Sequence, residues 1–100
     1  QVMAGAVIQS GSVIGDNVIV NTNASVDHNC RIGQHVHLAP GVVVCGNACI
    51  QELVHIGTGA KILQSIRVGA HALVGAGTLV KSDIEDSERS VLGCDREGII

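Results

Sequence analysis

Every sixth residue from Val2 to Val80 is aliphatic, fourteen positions in succession without an insertion. The series opens Val2, Ile8, Ile14, Val20, Val26, Ile32 and closes Ile62, Val68, Val74, Val80. Four positions after each stands a small or β-branched residue, from Ala6, Ser12 and Val18 through Cys30 to Thr78 and Ile84. Glycine often follows the aliphatic residue directly, as at Gly15, Gly33, Gly57, Gly69 and Gly75. A helix needs a period of about 3.6 and a flat strand a period of 2, so a period of six is neither alone. It fits a short strand plus a corner, with three such units closing a triangular coil of about eighteen residues.

This pattern resembles the hexapeptide repeat of left-handed parallel β-helices. The chain is therefore expected to be all-β, with between four and five triangular coils stacked roughly 4.8 Å apart. The branched residues fill the interior, the small residue four on fits beside the corner, and the glycines relax the backbone where it bends. The β-helix domain is assigned to residues 1–85. The solenoid is expected to end at Ser82-Asp83, where the period is lost, leaving residues 86–100 as a polar C-terminal tail. Cys30, at a small interior position, reads as packing.

Composition agrees with a narrow interior: there is no Phe, Trp or Tyr, and thirteen residues are Gly. A compact domain of this size normally fills its centre with aromatics. A net charge of −3 offers no basic field for nucleic acid. No apolar run is long enough to span a bilayer. The chain opens on Gln1 with Met3 two positions on, which reads as a fragment or a processed chain. The four cysteines (Cys30, Cys45, Cys49, Cys94) form no CxxC pair and read as reduced thiols of a cytoplasmic protein.

The stretch SVDHNCRIGQHVHLAP, residues 25–40, holds three of the five histidines. In an eighteen-residue coil, residues eighteen apart share a face. His37 and His55 form such a pair, and His35 lies two coils from His71. His28 points outward, and one coil above it comes Gly46, a residue with no side chain whose N–H stays open to a ligand oxygen. Histidines on the outside of a solenoid are often merely solvated, the reading that suits His35 and His71.

At NTNASVDHNCRIGQHVHLAPGVVVCGN the sequence resembles the hexapeptide-repeat sugar acetyltransferases. It is nearest the bacterial N-acetyltransferases of nucleotide-linked 4-amino sugars and their sialic-acid O-acetyltransferase relatives. The resemblance implies a cytoplasmic homotrimer with active sites between subunits, acetyl-CoA as co-substrate, a nucleotide-sugar acceptor and no metal. It implies His28 as general base and Asp27 as the acid beside it. Asn21 is implied at the acceptor site, and His37 as a second site histidine from across the subunit boundary, touching acceptor and donor. Gly46 is implied as backbone donor to the acetyl carbonyl. The N-terminal sugar-nucleotide-binding domain usual in that family is not in this sequence, and Asn29 stands where many relatives have an acid.

The chemistry suits these residue types. An amine attacking a thioester must lose a proton, and a histidine of ordinary pKa, about 6.5, can take it. No covalent intermediate is needed, so Cys45 need not be a nucleophile. Lys61, Arg67 and Lys81 lie on the later coils, where CoA phosphates want cations. Two other readings of the fold stand. One is a zinc enzyme like the γ-class carbonic anhydrases: His35 and His71 have the required spacing, but Ala76 fills the place of the third ligand. The other is a solenoid scaffold without catalysis.

Overall fold

The computed structural model describes residues 1–90, the side chain of Ser90 excepted. Cys94 and the remainder of the expected tail, 91–100, lie outside the described residues. Fourteen two-residue strands follow one another: β1 is Val7–Ile8, β2 Val13–Ile14 and β3 Ile19–Val20, and the step of six continues to β13, Leu79–Val80, with β14 at Arg89–Ser90. They stack as three parallel sheets. Sheet 1 is β1-β4-β7-β10-β13, sheet 2 is β2-β5-β8-β11, and sheet 3 is β3-β6-β9-β12-β14. From β1 to β13 each strand residue pairs with the one eighteen further on, as Val26 does with Val44 and Ile32 with Ile50. This is the all-β solenoid expected from the hexad, and it is consistent with a left-handed β-helix.

The second residue of each strand from β3 to β13 points inward. From Val20 to Val74 every residue of the aliphatic series is at most 2 % exposed. Each such side chain taken from water contributes about 1.5–3 kcal/mol. The identical slots explain the absence of aromatics, because a ring in one coil would collide with the side chains stacked above and below it.

The glycines do two different jobs, and those directly after the inward residue do not do the one expected of them. Gly15, Gly33, Gly57 and Gly69, directly after the inward residue, do not adopt positive φ. They are small because the next coil is too close: a Cβ on Gly33 would lie 2.7 Å from the backbone nitrogen of Glu52. The left-handed backbone sits two residues later, at every sixth position from Gly5 to Gly77. That column is Gly or Asn except at His35, Leu53, Ser65 and His71. Asn and His tolerate this conformation better than most residues, so His35 and His71 have a backbone reason to be where they are. Gly33→Ala is expected to cost about 2–3 kcal/mol through overpacking, a fall in Tm on the order of 15 °C for a chain this small. Gly59→Ala has open space around it but a φ of +71°, and should cost about 1–2 kcal/mol. Thermal unfolding followed by circular dichroism ranks the two.

The coil does not stop at Ser82-Asp83, nor at residue 85. Ile84 bridges to Val68, and Arg89–Ser90 pairs with Leu73–Val74. Ile84 therefore takes the inward slot two residues earlier than the period demands. The corner before it is shortened by two residues, and Asp83 Oδ1 accepts the Arg67 N–H at 2.8 Å. The period looked lost because Asp86 occupies the position where the next aliphatic residue was due; its carboxylate instead accepts the Ala70 N–H at 3.0 Å.

Candidate active site

His28 stands on the corner 27–30 that leaves sheet 1. Its strand, Ser25–Val26, has already ended, so the rule that neighbours on a strand point apart does not apply. Asp27 and His28 turn towards each other. Asp27 Oδ1 accepts the His28 backbone N–H at 2.7 Å and lies 2.9 Å from Nδ1. A neutral ring carrying its proton on Nδ1 would donate it to that carboxylate and leave Nε2 as the acceptor. The two side chains are 54 % and 48 % exposed, open enough for a substrate to reach. The His28 ring hydrogen bond, followed by that from its backbone N–H, holds the Asp27 carboxyl below its ordinary pKa.

Gly46 lies directly over that ring: a Cβ there would sit 2.8 Å from His28 Cε1 and 3.0 Å from Nε2. The imidazole thus fills the place a side chain at 46 would take. The Gly46 N–H donates to no acceptor among the described residues. A groove of about 550 Å³ runs from Asp27 and His28 past Cys45 and Gly46 to Leu63, Gln64, Ile66 and Lys81. Leu63 and Gln64 went unmarked in the sequence, although adding eighteen to Cys45 and Gly46 reaches them.

Asn21 and His37 are together, but on another part of the prism. Asn21 Nδ2 is 3.4 Å from His37 Nε2, and His37 meets His55 edge to face with ring centroids 4.7 Å apart. Burial, and to a smaller extent His37, pushes the His55 pKa down. His37 and His55 open strands of sheet 3. In a triangular prism that face lies opposite the corner between sheets 1 and 2, where His28 stands. One chain therefore does not bring His28 and His37 together. His35 and His71 share a corner column with Leu53 between them. No group of three or more His, Cys, Asp or Glu side chains is placed to hold a metal among the described residues. No helix there is long and apolar enough to cross a membrane.

A parallel β-helix with an outward Asp–His pair beneath a bare glycine defines a class, the hexapeptide transferases, and comparison bears on it directly. Residues 11–46 match the family described as bacterial transferase hexapeptide (six repeats). The acetyltransferase domain of PglB from Neisseria gonorrhoeae FA1090 is 47 % identical with a TM-score of 0.89, over 90 % of this chain and 44 % of that one. The same domain has been solved in complex with acetyl coenzyme A, and there the identity is 46 % and the TM-score 0.87. A variant of perosamine N-acetyltransferase from Caulobacter crescentus, in complex with CoA and GDP-perosamine, is 34 % identical with a TM-score of 0.85, over 91 % of this chain and 46 % of that one. WeeI from Acinetobacter baumannii AYE is 32 % identical with a TM-score of 0.85, over 87 % of this chain and 43 % of that one. Comparison with curated protein sequences returned no match. The chain belongs to the hexapeptide-repeat transferase family, among the relatives of the bacterial amino-sugar acetyltransferases. It spans less than half the length of each of those structures.

Proposed function

We propose that this chain transfers the acetyl group of acetyl-CoA to the amine of a nucleotide-linked amino sugar, with His28 as general base. The observation that carries the reading is the Asp27–His28 pair under the uncommitted Gly46 N–H, in a chain 46 % identical to a domain solved with acetyl coenzyme A. The amine nitrogen attacks the thioester carbonyl while His28 Nε2 takes its proton. The Gly46 N–H donates to the oxyanion of the tetrahedral intermediate. The C–S bond then breaks, the acetyl group stays on nitrogen, and the imidazolium returns its proton to the departing thiolate. Asp27 holds the proton on Nδ1 and stabilises the imidazolium.

The donor's pantetheine arm follows the groove. Asp27, Cys45, Leu63 and Lys81 are spaced eighteen apart up one corner, so Lys81 stands about 14 Å above Asp27 at 4.8 Å per coil. Lys81 is read as a cation for the donor's phosphates, at the far end of the same groove. Asn21 and His37, across the prism from His28, serve the site of a neighbouring copy in the homotrimer that the family resemblance implies.

Calorimetric titration of acetyl-CoA into the purified chain tests the reading. Saturable binding near one per chain is expected. Lys81→Ala should weaken acetyl-CoA binding about tenfold, the value of a charge-assisted contact, and leave S-acetylpantetheine, which has no phosphates, unchanged. A folded chain that binds no acetyl-CoA would favour the scaffold instead.

A further inference from the structure

Eight of the corners close on themselves, the fourth residue's N–H returning to the first residue's carbonyl, as Ala24 N–H does to Asn21 O at 3.0 Å. Six described corners lack that bond: 9–12, 15–18, 33–36, 51–54, and the two that carry His28 and Gly46, 27–30 and 45–48. At 27–30 and 45–48 a side chain from the coil below reaches into the corner. The Ser12 hydroxyl donates to Asp27 O at 2.7 Å and accepts the Cys30 N–H at 3.1 Å, replacing the missing turn bond with a bridge. The buried Cys30 thiol donates to Cys45 O at 3.1 Å. One coil higher the column holds Ala48, which has no donor to offer. The corner above it, 63–66, closes through its own Ile66 N–H to Leu63 O bond at 3.4 Å.

We infer that Ser12 and Cys30 are positioning residues, polar staples that set the His28 ring and the Gly46 N–H at the mutual height acetyl transfer needs. The inference rests on the acetyl-transfer reading given above. Neither residue touches substrate. Each fixes the backbone from which a site group projects, and a displacement of about 1 Å at a reacting group can cost on the order of 10²-fold in rate.

The test uses the whole chain, with acetyl-CoA and GDP-perosamine as assay substrates. Ser12→Ala should lower kcat about tenfold with the Kd for acetyl-CoA unchanged, and Cys30→Ala should act in the same direction. Ser12→Thr and Cys30→Ser, which keep the donors, should restore the rate; Thr78 already occupies the matching place in another hexad. Carbon-detected NMR titration of the Asp27 carboxyl supplies a readout independent of turnover. Its depressed pKa should move up towards the ordinary carboxylate value in Ser12→Ala and return in Ser12→Thr. Val36→Ala, the same hexad position at another corner, should lose stability and keep kcat. An Asp27 titration and a kcat both unmoved by Ser12→Ala would reduce the serine to packing. A wild-type chain inactive on every acceptor would overturn the acetyl-transfer reading alone, and the Asp27 titration would then judge the staple by itself.

Discussion

His28→Ala is expected to lower acetyl transfer by about 10²–10⁴-fold, the range general-base catalysis supplies, while acetyl-CoA binds as before. On the proposed mechanism the base acts only as the amine nitrogen bonds to the carbonyl carbon, so its loss should fall on the transition state and hardly on the bound donor. Stability should hardly change, because the side chain is 54 % exposed and stands on a corner outside the aliphatic core. Steady-state kinetics with GDP-perosamine, paired with calorimetry for acetyl-CoA, separates the two effects. Full activity in the variant would remove His28 from the mechanism. Weakened donor binding with an unchanged kcat would make it a binding residue instead.

Gly46→Ala is the complementary case: one methyl group added, no catalytic group removed. Gly46 does not adopt positive φ, so alanine carries no backbone penalty there. The new Cβ would meet the His28 ring at 2.8 Å and nothing of the backbone that closely. A half-exposed ring can swing into solvent, so the fold should lose less than about 1 kcal/mol. Swinging away breaks the 2.9 Å contact with Asp27 and misdirects Nε2, and the rate should fall on the order of 10²-fold. The Asp27 carboxyl, deprived of its largest depressing contact, should titrate higher. Gly33→Ala makes the contrast, since there the added carbon meets Glu52 backbone and the fold itself must give. A Gly46→Ala variant with wild-type rate and a stable Asp27–His28 pair would show that the ring does not need the space above it.

The sheets, their register and the interior were legible because the repeat turns three-dimensional adjacency into addition. Once six residues make a side and eighteen a coil, Val26 must lie under Val44, and His28 under Gly46. The site's vertical neighbours followed by the same sum, and Lys81 belongs to that column. Spacing set His28 under Gly46 and so apart from the other four histidines, and family resemblance gave it the role of base.

Three features lay beyond that arithmetic. Asp27 touches His28 because the strand ends at Val26 and the chain turns. Strand alternation would point neighbouring side chains apart, and only the corner's backbone brings these two together. The glycines after the inward residues looked like bends, and the distance to the next coil makes them spacers. The period appeared to end at Ser82, yet a corner two residues shorter carries the stack on to Ser90. A one-dimensional repeat by itself determined the order of the coils, the burial of the aliphatic column and which residues share a face. The tertiary structure decided how each corner is closed, and therefore which side chains meet there. Parallel strands hold register through backbone bonds indifferent to side chain, whereas a corner's shape depends on the few polar atoms that happen to reach its carbonyls.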